Sequence, residues 1–215
     1  MSKAYIPKEI SWLSFNARVL QEAANKEVPL LERFSFLGIY SNNLDEYFRV
    51  RVATLRRLAL FSNKAKSILG YSPKAALKSI QQIVLRQNEL FEQTYTDLLG
   101  ELKKRRILFV NEEQLDKEQV EFVRQYFRKE VRSRLMPLII TRENKLPNLT
   151  DDAIYFAIQL HNSETDKKRY ALLEIPSRSI LPRFIRLPGK KGNRYVIFLD
   201  DIIRWGLKEI FSILA

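Results

Sequence analysis

The stretch from Pro29 to Leu55 constrains the fold more than any other. Leu30, Leu31, Phe34, Leu37 and Tyr40 recur at helical spacing, and Leu44, Tyr47, Phe48, Val50, Val52 and Leu55 resume the pattern. Ser41, Asn42 and Asn43 stand between the two runs. Ser and Asn side chains compete with helical backbone for hydrogen bonds, so three in a row need a reason. One reason is a helix start: Asn43 with Glu46 three residues on fits a capping box, Asn replacing Ser or Thr. Another is a ligand contact, because an amide offers both a donor and an acceptor. Residue spacing leaves both open.

The rest of the N-terminal half reads as helix. A first helix is expected over Ser11–Ala24, burying Trp12, Phe15, Val19, Leu20 and Ala23. A second starts at Pro29, a residue suited to a first helical turn, and reaches about Phe61. A loop follows over 62–72, and Ser72-Pro73 opens a third helix running to about Lys104. Three amphipathic helices with short connections predict an antiparallel bundle over 1–106.

Lys103-Lys104-Arg105-Arg106 reads as a solvated helix end. Beyond it the period changes. Ile107–Val110, Ala153–His161, Arg169–Ile175 and Tyr195–Leu199 read as strands, the middle two as a hairpin. A basic helix is expected over Glu118–Leu135, ended by Pro137, and Asp200 or Asp201 is expected to cap a last helix. The fold class is therefore α+β, with a helical domain over 1–106 and an α+β domain over 107–215. The apolar run Phe211–Ala215 carries no exit signal, so the second domain is expected to be the first part of something longer.

Several chemistries are excluded by residue type. With no cysteine there is no disulfide, thiolate metal site or cysteine nucleophile. His161 is the only histidine, which rules out two-histidine metal sites within the chain, and it reads as an ordinary strand-end residue. Neither GxxxxGK[ST] nor GxGxxG occurs. The carboxylate pairs Asp45-Glu46, Asp151-Asp152 and Asp200-Asp201 read as element starts. No run approaches the ~18 apolar residues of a membrane span, and Lys3, Lys8 and Glu9 interrupt any signal-peptide pattern, which fits a cytoplasmic protein.

The formal charge of +12 suggests an anionic partner, whether nucleotide, polyphosphate, nucleic acid or an acidic membrane surface. Arg49, Arg51, Arg56, Arg57 and Lys64 read as a solvated face. Arg178, Arg183, Arg186, Lys190, Lys191 and Arg194 are strung along a Pro- and Gly-containing loop and are the candidate polyanion contacts, since arginine's planar fork suits phosphate oxygens.

Five segments, in order, carry a resemblance: EISWLSFN at Glu9–Asn16, VPLLER at Val28–Arg33, YSNNLDEYF at Tyr40–Phe48, RYALLEIP at Arg169–Pro176 and PRF at Pro182–Phe184. The set resembles the N-terminal domain of bacterial polyphosphate kinases followed by the start of their head domain. That resemblance implies reversible transfer of the terminal phosphate of ATP to polyphosphate, with Mg2+, through a phosphohistidine. The family's histidine and metal ligands belong to C-terminal domains that this chain does not match, and His161 does not fit that motif, so this chain alone is expected to be inactive. The second asparagine of the family's SNNLDE motif, which helps hold adenine, falls on Asn43. Asn42, Phe36 and Tyr40 are weaker neighbours in the same expected ATP site. Homo-oligomer contacts, as dimer or tetramer, are implied for the head domain. Peripheral association with a membrane is a further expected property, and nucleic acid is not an expected partner. A non-catalytic polyanion- or nucleic-acid-binding module is the alternative that composition supports, although no nucleic-acid-binding motif occurs.

Overall fold

The computed structural model describes residues 6–141, 148–161, 166, 168–189 and 192–212, without the side chains of 62–65. The chain divides into two compact units, Met1–Leu102 and Lys103–Ala215. No described helix is long and apolar enough to cross a membrane.

The first unit holds α1 (Lys8–Ala24), α2 (Leu30–Tyr47), a π-turn (Phe48–Val52), α3 (Ala53–Ala59), α4 (Ser62–Leu69) and α5 (Pro73–Lys104). Cross-helix partners fix the directions. Asn16 meets Tyr40 while Ala23 meets Arg33, so α1 and α2 run antiparallel. Tyr40 meets Gln87 while Arg33 meets Glu101, so α2 and α5 do too. The expected three-helix bundle is present, with α3 and α4 as short additions. Residues 62–69, expected as loop, form α4, ended by Gly70 in the left-handed region at φ 74°.

Two local expectations are overturned. Ser41, Asn42 and Asn43 do not interrupt the helix: α2 is continuous through them, so Asn43 is not an N-cap and Asp45-Glu46 lies in the last turn, not a first. Ser41 and Asn42 face solvent, where their competition with the backbone costs little. Second, the buried line of α1 is Glu9, Leu13, Asn16, Leu20 and Ala23, while Phe15 is 61% exposed. Two polar residues occupy the inner line because each has inward partners. The Tyr47 hydroxyl donates to the Glu9 carbonyl at 3.0 Å, and the Tyr71 hydroxyl to the Glu9 carboxylate at 2.9 Å. Trp12 stacks on Tyr47 with centroids 4.6 Å apart.

This knot predicts alkaline lability. Burial, then the hydrogen bond and charge of Glu9, push Tyr71 up to about 12, and burial followed by the charge of Glu9 raises Tyr47 too. A raised phenol holds its proton more tightly folded than unfolded, where tyrosine titrates near ~10. That stability is full below the unfolded value and drains as pH climbs through the folded one. Urea midpoints are expected to fall between pH ~10 and ~12, and less steeply in Tyr71→Phe. A parallel decline in both proteins would clear Tyr71 of responsibility.

The second unit contains β1 (Ile107–Phe109), α6 (Lys117–Tyr126), a π-turn (Phe127–Val131), a 3-10 turn (Arg132–Arg134), β2 (Pro137–Ile140), β3 (Tyr155–His161), β4 (Lys168–Glu174), β5 (Phe184–Leu187), β6 (Arg194–Phe198) and α7 (Leu199–Phe211). One sheet has the order β1-β6-β5, with β1 parallel to β6 and β5 antiparallel to it. The other is the antiparallel β2-β4-β3. A capping box starts α6: the Asp116 carboxylate accepts from the Gln119 amide and the Gln119 side chain accepts from the Asp116 amide. The core gathers Val123, Phe127 and Val131 against Leu173, Ile185, Ile197, Ile202 and Ile203.

Here the sequence reading missed two strands and one end. β2 begins at Pro137, read above only as a helix stop; as the edge of its sheet it tolerates a residue without an N–H. β5 occupies what was read as loop. The expected cap of α7 is also corrected: the N-cap position is Phe198, and Asp200 and Asp201 lie in the first turn. Asp200 accepts from Arg183 at 3.0 Å and Asp201 from Arg204 at 2.8 Å, so both carboxylates are held by arginines rather than by amides.

Candidate functional site

Asn43 lies on α2 at the same face as Phe36 and Tyr40, by helical spacing. It is half-buried, and its Nδ2 donates to Asn16 Oδ1 at 3.0 Å. Asn16 is fully buried in α1, and its Nδ2 donates to the Tyr40 carbonyl at 3.1 Å. Tyr40 itself is only 1% exposed; its hydroxyl donates to Gln87 of α5, and Gln87 Nε2 donates to the Leu13 carbonyl. The Tyr40 ring therefore packs in the core, 5.7 Å from that of Phe91, away from any surface a ligand could reach. Phe36 is half-buried and Asn42 exposed. Burial raises the Tyr40 hydroxyl above its ordinary value, which keeps it a neutral donor. The arrangement is a polar seam across three helices that ends at a partly exposed amide. Sequence reasoning found Asn43 but missed Asn16, whose signal was a lone amide between Leu13 and Leu20 on the buried line.

The arginines sort differently from their order in sequence. Arg186 on β5 faces Val196, and Arg194 lies two residues before Val196 on β6, so both stand on the sheet face opposite the core. Phe109, Phe184 and Phe198 share that face in an aromatic cluster with centroids 5.1 to 6.1 Å apart. Arg178 and Arg183 instead line a cleft of about 680 Å³ with Asp151, Asp152 and Phe184, and Arg183 is committed to Asp200. The structure thus brings these four together in pairs, not as one row. Lys190 and Lys191 lie outside the described residues.

The basic group that begins within the first π-turn is exposed at Arg49, Arg51, Arg56 and Arg57, as expected of a solvated face. Arg49 pairs with Asp45 at 2.9 Å. Arg56 joins Lys74 and Lys78 around a groove of about 520 Å³ floored by Phe48, Val52 and Leu77. The side chain of Lys64 lies outside the described set. His161 ends β3, exposed, with Nε2 2.7 Å from the Asp166 carboxylate. Among the described residues no three metal-binding side chains come together.

Two family models account for most of the sequence. The polyphosphate kinase N-terminal domain matches residues 5–110 and the polyphosphate kinase middle domain matches residues 118–214. The chain belongs to the polyphosphate kinase family. It is 46% identical over 213 residues to a polyphosphate kinase of Vibrio parahaemolyticus, covering 98% of this chain and 30% of the relative. It is 44% identical over 213 residues to one of Escherichia coli K12, with the same coverages. A crystal structure of polyphosphate kinase from Porphyromonas gingivalis superposes with a TM-score of 0.78 at 30% identity, covering 95% of this chain and 31% of that one. The chain thus spans about a third or less of the polyphosphate kinases it matches. Membership of the family does not favour the alternative of a non-catalytic polyanion- or nucleic-acid-binding module.

Proposed function

We propose that this chain forms the N-terminal and middle parts of an enzyme that reversibly transfers the terminal phosphate of ATP to polyphosphate, and that Asn43 contributes the contact to the adenine base. The observation that carries this is the polar seam: Asn43 occupies the second asparagine of the YSNNLDEYF motif, its Nδ2 is tethered from within, and the side chain is half-buried at the edge of the helix pair. A tethered amide is a preorganised hydrogen-bonding group, which is what base recognition needs. The phosphohistidine and magnesium belong to the same proposal, assigned by the resemblance to the family's C-terminal domains, and His161 does not fit the motif of that histidine. ADP as the reverse substrate, assembly as a homo-oligomer, and a cytoplasmic or membrane-peripheral location complete the reading.

Asn43→Ala and Asn43→Asp in the full-length protein test it. An amide pairing with adenine is worth roughly 1–3 kcal/mol, about ten- to a hundredfold in the KM for ATP. Both variants are expected to raise that KM. If Asn43 only ties α1 to α2, Asn43→Ala lowers stability by about 1 kcal/mol and leaves ATP kinetics alone. Unchanged ATP kinetics in both variants would defeat the base-contact reading.

A further inference from the structure

We infer that Asn16 is a positioning residue that decides which way round the Asn43 amide stands, and thereby which purine the site accepts. This rests on the reading of Asn43 as the base contact and adds a second residue to it, one that no ligand touches.

Hydrogen-bond polarity runs through the seam in one direction. The backbone carbonyl of Tyr40 can only accept, so the Asn16 atom 3.1 Å from it is the amide nitrogen. The other end of Asn16 is then an oxygen, also only an acceptor, and it lies 3.0 Å from Asn43. Asn43 must therefore turn its nitrogen inward. A backbone atom, whose chemistry is fixed, thus orients two side-chain amides in sequence. Rotating the Asn43 amide by half a turn would set its oxygen against that of Asn16, which is fully buried.

The consequence is that Asn43 Oδ1 points away from the seam. It has no protein partner among the described residues. An outward acceptor complements a base edge that carries an amine, as adenine does at its 6-position. It opposes a carbonyl at that position, as in hypoxanthine and guanine. One N–H of Asn43 is left over for a ring nitrogen beside that edge. Discrimination then comes from an enforced mismatch as well as from a good contact.

The test compares ATP with ITP, which differ at the 6-position, as phosphate donors for the full-length protein, reading the ratio of their kcat/KM values. Asn16→Leu keeps the branched shape and removes the acceptor, so Asn43 is free to turn. The ATP-over-ITP ratio is expected to fall about tenfold or more. Asn16→Asp keeps an acceptor toward Asn43 while losing the donor to Tyr40. It is expected to lose stability yet hold the ratio. Asn43→Ala abolishes the preference, and adding Asn16→Leu to it changes the ratio no further. A purely structural Asn16 would lower stability and both rates together without moving the ratio. If Asn16→Leu does not fold, Asn16→Ser, whose hydroxyl is too short to bridge both partners, is read the same way. A parent-like ratio in Asn16→Leu, or in Asn16→Ser where that replaces it, beside a collapsed ratio in Asn43→Ala overturns the inference and leaves the base contact standing. A parent-like ratio in Asn43→Ala overturns both.

Discussion

Arg33→Ala is expected to cost the first unit about 3–5 kcal/mol, of which an abandoned buried carbonyl accounts for about 1–3 kcal/mol and the void left by a large side chain for the rest. The Arg33 side chain is 3% exposed. Its Nε donates to the Ala23 carbonyl at 2.8 Å, and Nη1 donates to Glu101 Oε1 at 2.8 Å. Ala23 lies in the last turn of α1, where carbonyls have no intrahelical partner, so a side chain from α2 closes the end of α1. Glu101 is 31% exposed and rehydrates when its partner is lost. The penalty therefore falls on the abandoned carbonyl and on the void. Arg33→Met refills the void but not the carbonyl, so it is expected to lose less. Urea unfolding of the three proteins settles the order. A loss under about 1 kcal/mol in Arg33→Ala, the scale of an exposed ion pair, would show that the site is solvated in solution.

Phe127→Ala is expected to cost about 3–5 kcal/mol, and it should reverse the sign of a second substitution. Phe127 is fully buried in the π-turn after α6, and its ring lies directly on the backbone of α7 at Gly206, beside Trp205. A Cβ at Gly206 would fall inside contact distance of three ring carbons. Gly206→Ala alone is therefore expected to destabilise: overpacking costs about 1–3 kcal/mol, against roughly 1 kcal/mol gained in helix propensity. Once the ring is gone the new methyl enters vacated space, and only the propensity gain is left. On the Phe127→Ala background, Gly206→Ala should be neutral or stabilising. Equal losses on both backgrounds would mean that the ring is not why a glycine stands in the middle of α7.

Helices were legible where apolar residues repeat over many turns. The long stripe of α5, with Ala76, Ile80, Val84, Leu98 and Leu102 buried, marks both its presence and its ends. Reading apolarity alone misplaced the inner face of α1. Phe15 draws the eye outward, while Glu9 and Asn16 sit inside because tyrosine hydroxyls, a carbonyl and an amide meet them there. Sequence spacing does not reveal such partners. The same gap explains Asn43. A polar residue after two others resembles a break, and only its bond to Asn16 shows that α2 passes through. β5 was hidden by its length and by Pro182 and Pro188 on either side, although Phe184-Ile185-Arg186-Leu187 alternates exposed and buried as a strand should. The two π-turns left no trace in the pattern, since Val52 in the first and Phe127 and Val131 in the second still fall on the inner line.

The parallel pairing of β1 with β6 bears on the order in which the chain can fold as it is made. Ile107, Leu108 and Phe109 are aligned with Arg194, Tyr195 and Val196. On a growing chain, β1 emerges early and stays without its partner strand until everything between Ile107 and Arg194 has been synthesised. The helices of the first unit meet no such delay, because every residue that Arg33, Asn16 and Tyr40 bind has been made by Glu101. The ribosome therefore releases a helical unit whose own contacts are complete, followed by an unpaired strand bearing Phe109, and the β1-β6-β5 sheet closes only near the end of this stretch of translation.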